Sequence, residues 1–365
     1  MKKILILILA LAMAVSALTA CTYVPTVGSD VITMIVIDAD AKVEIMVNPE
    51  NRVASVTPLN DVAEILLSGE SFIGKKPEEA ASGIISIAAK AGLLSDTGRT
   101  TVKLSVTGDS DYAEVITKLV SKKMVKTMKN AGIKGSVEIV DPISEDDLRA
   151  LCLENNYISE ENAEYATYKY LLYTLATQRV GYASFPSEES RFVFRIFKDL
   201  DVELAMKRET LSDVETVKAS FPETYEKYKS AVEAYLSLAE EFKTYCASTY
   251  LPADSDYQKA LSAVRDSRED SDSAAAFTAL DFAIKAEIEK YEKALSEKKA
   301  AVDGIESKFI DEIELERHLR STYLDRQARV KTIISTCEAD FKAEFSLELE
   351  AIKVELAARK TKMIG

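Results

Sequence analysis

The pattern of apolar and polar positions changes period along the chain. An opening apolar block, Ile4 to Val15, shows no period at all. From Val31 the pattern becomes that of strands. Val31-Ile32-Thr33-Met34-Ile35-Val36-Ile37 is a dense β-branched run, and Lys42 to Val47 alternates, with Val43, Ile45 and Val47 on one face. Branched side chains suit a pleated surface, on which every second residue points the same way. Asn48-Pro49-Glu50-Asn51 carries turn residues, and Arg52 to Val56 resumes the alternation. This predicts a three-stranded antiparallel meander.

The period then lengthens. Asn60 or Asp61 caps a short helix through Leu67, and Gly69 to Gly74 forms a loop. Pro77 followed by Glu78-Glu79 opens a helix with a stripe of Ala80, Ile84, Ile87 and Ala88, ended by Gly92. Thr100 to Val106 reads as a strand. Asp109 caps a helix whose apolar positions are Val115, Ile116, Leu119, Val120, Met124 and Met128, ended by Gly132, and Val137 to Val140 is a last strand. Residues 31–141 are thus expected to form an α+β domain of ordinary size.

From Pro142 the chain reads as helical, in a region 142–272 and a final region 273–365. Ser144 and Ser159 are N-caps, the second heading a helix through Gln178 with Tyr165, Tyr168, Leu172 and Leu175 on one face. Tyrosine faces can stack on sugars, but packing is the commoner use. Pro222 opens a helix through Ser248 with Tyr225, Tyr228, Val232, Tyr235, Phe242 and Cys246. From about Ala274 to Met363 no proline interrupts a 3-4 alternation that includes Ile284, Ile288, Leu295, Val302, Phe309 and Phe341. Unbroken, about 90 residues would reach about 135 Å. Asp303-Gly304 is the expected corner. An intrachain bundle is preferred, because the shorter helices at 187–265 also need a partner. Self-association through 273–365 as an intermolecular coiled coil is the alternative.

Composition narrows the function classes. The 365 residues hold 46 Lys and Arg against 60 Asp and Glu, a net charge of −14, which disfavours nucleic acid as a partner. The single histidine, His318, excludes sites built on two imidazoles. Twelve glycines are few for a loop-rich all-β fold. Beyond Cys21 the cysteines are Cys152, Cys246 and Cys337, with no Cys-x-x-Cys spacing, and they read as small apolar residues on helix faces; one disulfide among them stays open.

The opening block is an address. Lys2 and Lys3 precede the apolar stretch, and Leu18-Thr19-Ala20-Cys21 closes it. Small residues before a cysteine match the lipobox of bacterial lipoproteins. Residues 1–20 are then a cleaved signal peptide, and Cys21 carries a diacylglyceryl group and acyl chains such as palmitate. That places the chain on the extracytoplasmic face of a membrane, with 21–30 as a tether. Loss of Lys2 and Lys3 takes the charge from −14 to −16. The alternatives are a secretory signal cut near Ala20 and an uncleaved helix, for which the apolar run is short.

One stretch carries a family likeness. Ile37-Asp38-Ala39-Asp40-Ala41-Lys42-Val43-Glu44, then Val47-Asn48-Pro49-Glu50-Asn51-Arg52-Val53, Leu59-Asn60-Asp61, Gly74-Lys75-Lys76-Pro77-Glu78-Glu79-Ala80 and Gly92-Leu93-Leu94, in that order, resemble the extracytoplasmic middle domain of RsgI-type anti-sigma factors. The resemblance covers roughly 110 residues, in which the order of elements agrees with that of the family. In that family a cytoplasmic anti-sigma domain and a membrane helix precede this domain; here the lipobox stands in their place. The family also implies self-cleavage at an Asn-Pro bond. In this chain the position of that Asn is Asp40 and that of the Pro is Ala41. Asp40 lacks the attacking amide nitrogen and Ala41 lacks the tertiary amide, so no cleavage is expected. Asn48-Pro49 reads as a plain turn.

Other chemistry is sought without success. There is no phosphate-binding loop around Gly74-Lys75-Lys76 and no Gly-x-Ser-x-Gly elbow. Glu160-Glu161, Glu188-Glu189 and Glu240-Glu241 fit solvated helix faces. Asp254-Ser255-Asp256 and Asp270-Ser271-Asp272 lack a calcium-loop ligand run and read as capping turns. No cofactor, metal or catalytic residue is expected. The expectation is a membrane-anchored, non-catalytic sensing or interaction protein with ties to anti-sigma signalling. A structural spacer of the cell envelope is the alternative.

Overall fold

A computed structural model of the chain describes residues 33–94, 100–155, 157–182, 184–266, 270–311, 313–314, 317 and 323–365. The expected signal peptide and lipobox, with Leu18, Thr19, Ala20 and Cys21, and also His318, lie outside the described residues. The chain divides into two compact units: one runs through residue 183 and takes in 359–365, the other is 184–358.

The first unit is built on a five-stranded sheet. Its strands are β1 (Thr33–Ala39), β2 (Ala41–Val47), β3 (Val53–Pro58), β4 (Thr100–Gly108) and β5 (Gly135–Ile139), in the order β3-β2-β1-β4-β5. The expected meander is present, with Ile35 opposite Ile45 and Ile45 opposite Val56. β4 adds antiparallel to β1, and β5 lies parallel to β4. A parallel neighbour requires a crossover, and the helix between β4 and β5 supplies it.

Helices α1 (Asp61–Leu67), α2 (Pro77–Lys90) and α3 (Ser110–Asn130) cover one face. Their starts and stops follow local chemistry. The Asn60 side chain accepts from the Ala63 N–H, and Pro77 sits in the first turn of α2. Gly92 and Gly132 adopt φ of +69° and +77° just beyond α2 and α3, where a side chain would be strained. Asp109 precedes α3 without a side-chain capping bond. The core here joins Ile35, Ile37, Val43 and Ile45 of the sheet to Ile84 of α2 and Val120 of α3. Of the six apolar positions expected to line α3, Ile116, Val120, Met124 and Met128 are buried, whereas Val115 and Leu119 face outward. The four buried residues recur every fourth position and form a single stripe, which leaves the other two on the opposite flank.

The second face of the sheet presents Met34, Met46 and Ala54. These cannot be left to water, and helices α4 (Glu145–Glu154), α5 (Glu160–Tyr165) and α6 (Tyr168–Tyr182) cover them with Leu148, Cys152, Leu171 and Leu175. The first unit therefore continues past residue 141, where the sequence pattern placed the domain end. The single helix expected through Gln178 is two. Ala166 is extended at φ −71°, ψ 124°, and the Thr167 hydroxyl accepts from the Tyr170 N–H, restarting the helix. Tyr165, expected on a packed face, is 78% exposed.

The second unit is helical: α7 (Glu188–Val217), α8 (Pro222–Tyr250), α9 (Asp256–Asp266), α10 (Ser271–Glu306), α11 (Tyr323–Glu344) and most of α12 (Ser346–Ile364). α8 packs on α7 and on α10, and α11 packs on α7. The long final segment thus folds back within the chain. It does not turn at Gly304, which stays inside α10; a 3-10 turn at Ser307–Phe309 follows, the backbone is helical again at Ile310 and Asp311, and the reversal lies between Arg317, paired with Asp213 of α7, and Arg329, paired with Glu209. Phe309 is fully buried against Phe221 and Tyr228, and this anchors the turn. Phe341 meets Phe185, Phe194 and Phe197 at centroid distances of 5.4, 5.5 and 5.1 Å.

Candidate functional site

The segment the resemblance marks for chemistry is the tight β1–β2 hairpin. Ala39 pairs with Ala41, which puts Asp40 alone at the tip. Its φ is +64°, a left-handed conformation that Asp tolerates better than most residues. Asp40 is exposed, whereas Ala39 and Ala41 beside it are buried.

One side chain from outside the hairpin fixes it. The Asn60 amide nitrogen donates to the Asp40 carbonyl oxygen at 2.8 Å. The Asn60 side-chain oxygen accepts from Lys42 N–H at 3.1 Å and from Ala63 N–H at 3.0 Å. Leu59 N–H donates to the Lys42 carbonyl at 2.8 Å. Asn60 is therefore both the cap of α1 and a clamp on the turn. Sequence reading found only the cap, since a contact across 20 residues leaves no local signal; the Leu59-Asn60 pair in the family pattern was the available hint.

The self-cleavage implied by the resemblance would need a donor on this carbonyl and a nucleophile beside it. Asn60 donates to the carbonyl, but Asp40 offers only a carboxylate oxygen. Attack by that oxygen on its own carbonyl would give a cyclic anhydride and expel the Ala41 amine, which reverses readily. An asparagine nitrogen would give a stable succinimide. The structure thus keeps the cradle of the hairpin while the residue at its tip lacks the reactive group.

Asn48-Pro49 is built differently. Asn48 is buried, its N–H donates to the Arg52 carbonyl, and its side-chain oxygen accepts from Arg52 N–H at 2.9 Å. These bonds define a turn in which the Asn48 side chain is already used.

The remaining reactive groups are structural. Cys152, Cys246 and Cys337 are free and buried, and burial pushes the Cys246 and Cys337 thiols up to about 12, so neither is a thiolate at neutral pH. Ser255 accepts from Gln258 N–H, and Asp270 accepts from Asp272 N–H and from the Ser273 hydroxyl, so both acidic turns cap helices. Among the described residues no group of acids, cysteines and histidine is placed to hold a metal ion. No helix of the described residues is long and apolar enough to cross a membrane.

Sequence reading also missed a buried ion pair on the second face of the sheet. Glu44 on β2, 2% exposed, accepts from Arg179 Nε on α6 at 3.0 Å. Burial raises the Glu44 carboxyl above its ordinary range, and the Arg179 charge and hydrogen bond pull it back in part.

Residues 32–166 match the family model of the anti-sigma factor RsgI-like central domain. The match extends past the sheet to α4 and α5, in accord with their packing on its second face. No curated protein matches the chain.

Proposed function

We propose that this protein is a lipid-anchored extracytoplasmic lipoprotein whose RsgI-like domain serves a regulatory, non-catalytic role in anti-sigma-factor-linked signalling. The observation that carries the reading is the family match over 32–166 together with the clamped hairpin. In the sequence, Cys21 follows Leu18-Thr19-Ala20, the residue order of a lipobox. Asp40 makes the domain an uncut module, so its signal passes by binding rather than by self-cleavage.

The spacer reading has less support. The longest helix described, α10, has 36 residues, or about 54 Å, and it packs back on α8 rather than running on as a rod.

Two measurements test the proposal. Metabolic labelling with a palmitate analogue should mark the wild-type chain and leave Cys21→Ala unlabelled and released from membranes; equal labelling of both removes the anchor. Deleting the chain in its host should change transcription of a sigma-factor-dependent set of promoters, and an unchanged transcript profile under envelope stress removes the signalling role.

A further inference from the structure

The outward flank of α3 is unlike the rest of the protein. The chain carries a net charge of −14, yet α3 holds Lys118, Lys122, Lys123, Lys126 and Lys129 against Asp111 and Glu114. Among the described residues, Lys118 is the one of these five that is ion-paired, to Glu114. At 100° per residue, Lys122, Lys126 and Lys129 fall on one arc with Val115 and Leu119, away from the buried stripe. Val115 and Leu119 are 53% and 43% exposed. The arc runs into a shallow groove between α2 and α3, about 1070 Å³, bordered by Lys90, Lys123 and Lys126 with Ser86 and Asn130, and by one carboxylate, Glu79. Ser82 and Thr127 hydrogen-bond across it at 2.7 Å.

We infer that this flank of α3 docks on a bilayer surface rich in anionic phospholipid headgroups. Lysines interleaved with exposed aliphatics are the composition that binds such a surface: the ammonium groups meet phosphates while Val115 and Leu119 reach the acyl boundary. The serine hydroxyl and asparagine amide of the groove add donors for a headgroup phosphate.

The location agrees. Thr33, the first residue of β1, pairs with Gly108, two residues before α3 begins. The chain from Cys21 therefore joins the domain beside the N-terminal end of α3. The twelve residues 21–32 span at most about 40 Å, and the 21 residues of α3 about 31 Å, so the whole helix lies within reach of an anchored Cys21. The inference rests on the anchored reading for its biological setting, though not for its test. A basic patch adds electrostatic attraction to anionic headgroups and sets how the domain lies on the surface.

The chain from residue 22 onward, which carries no lipid, is tested by co-sedimentation with phosphatidylglycerol-containing vesicles and with pure phosphatidylcholine vesicles. Binding to the first, loss of that binding at high salt, and little binding to the second are expected. The double variant Lys122→Gln/Lys126→Gln should bind roughly 30-fold more weakly, at about 1 kcal/mol per lysine and 1.4 kcal/mol per decade. Its circular dichroism should be unchanged, since Lys122 and Lys126 are exposed. Lys285→Gln/Lys353→Gln, in the helical unit, should bind as the parent does. Equal binding to neutral vesicles, no binding to anionic ones, or equal loss in both double variants overturns the inference. So does binding of polyglutamate without vesicles, which would assign the flank to an acidic polypeptide. Palmitate labelling without vesicle binding leaves the anchor standing and removes this inference; vesicle binding without labelling does the reverse.

Discussion

The two units fill their cores with different side chains. The sheet-based unit packs Ile, Val, Ala and Met, with Phe72 as its aromatic among the buried residues. The helical unit packs Phe194, Phe197, Tyr228, Tyr235, Phe242 and Phe341. A pleated sheet offers close, regular spacing that branched side chains match. Helices of 29 to 36 residues leave wide seams between axes, and rings fill them. Ionic contacts differ as well. On the sheet the buried Glu44 carboxylate accepts from the half-buried Arg179. The helical unit instead buries lysine stems: Lys243 reaches Asp201 at 2.7 Å while lying 4.8 Å from the Phe197 ring centre, and Lys207 joins Glu306 at 2.8 Å.

The largest expected effect breaks the aromatic seam. Phe341→Ala should destabilise the helical unit by about 3–5 kcal/mol, because the cavity sits where several rings meet and cannot collapse. Urea denaturation followed by hydrogen exchange over 184–358 checks this, and a loss below about 1 kcal/mol would show a plastic seam. The sheet counterpart is Arg179→Ala, which strands the Glu44 carboxylate and should cost about 3 kcal/mol. Restoration of most of that loss by Glu44→Leu in the Arg179→Ala background would confirm that the stranded charge is the cause.

Titration sharpens the same contrast. Burial raises Glu44, so the folded state binds a proton more tightly than the unfolded chain, whose value is near 4.5. Glu44 therefore contributes stability that is present below about 4.5 and is lost as pH rises through its folded value. Glu44→Gln should remove this component and flatten the stability profile above pH 4.5; an unaltered profile would show that Arg179 fully compensates the burial.

The smaller effects lie at the hairpin. Asn60→Ala removes the α1 cap and the clamp on Asp40, for about 1–2 kcal/mol. Asp40→Gly, at a positive φ, should change stability by less than about 1 kcal/mol in either direction. Neither the wild-type chain nor Asp40→Gly should fragment on long incubation. Intact mass spectrometry reads this, and a cut at residue 40 or 48 would mean that the carboxylate suffices.

Much of the sheet unit could be read in advance, because its signals are local. The Val43-Ile45-Val47 alternation, the Asn60 cap, Pro77 and the glycines at 92 and 132 each act within a few residues. The break at Ala166–Thr167 could not be read, since nothing in the 3.6-residue pattern marks it and the packing of Leu171 and Leu175 on the sheet decides it. The outward turn of Val115 and Leu119 was hidden for a related reason: six apolar positions are too many for one face, and only the neighbouring sheet selects four of them. The hairpin was visible as a family likeness, but its clamp was not, because Asn60 reaches Asp40 through the fold.

By itself, then, the sequence determined the α+β order, the Asn60, Ser144 and Ser159 caps and the presence of Asp40-Ala41 at the hairpin. These depend on residue type and short-range periodicity. Tertiary structure alone decided that the sheet is covered on both faces, that Glu44 meets Arg179 across 135 residues, that the last long segment folds back along α7 between Arg317 and Arg329, and that Val115 and Leu119 are exposed on a lysine-bearing helix near the start of β1. Those outcomes depend on which apolar surfaces find one another, and burial is a property of the assembled fold rather than of any segment.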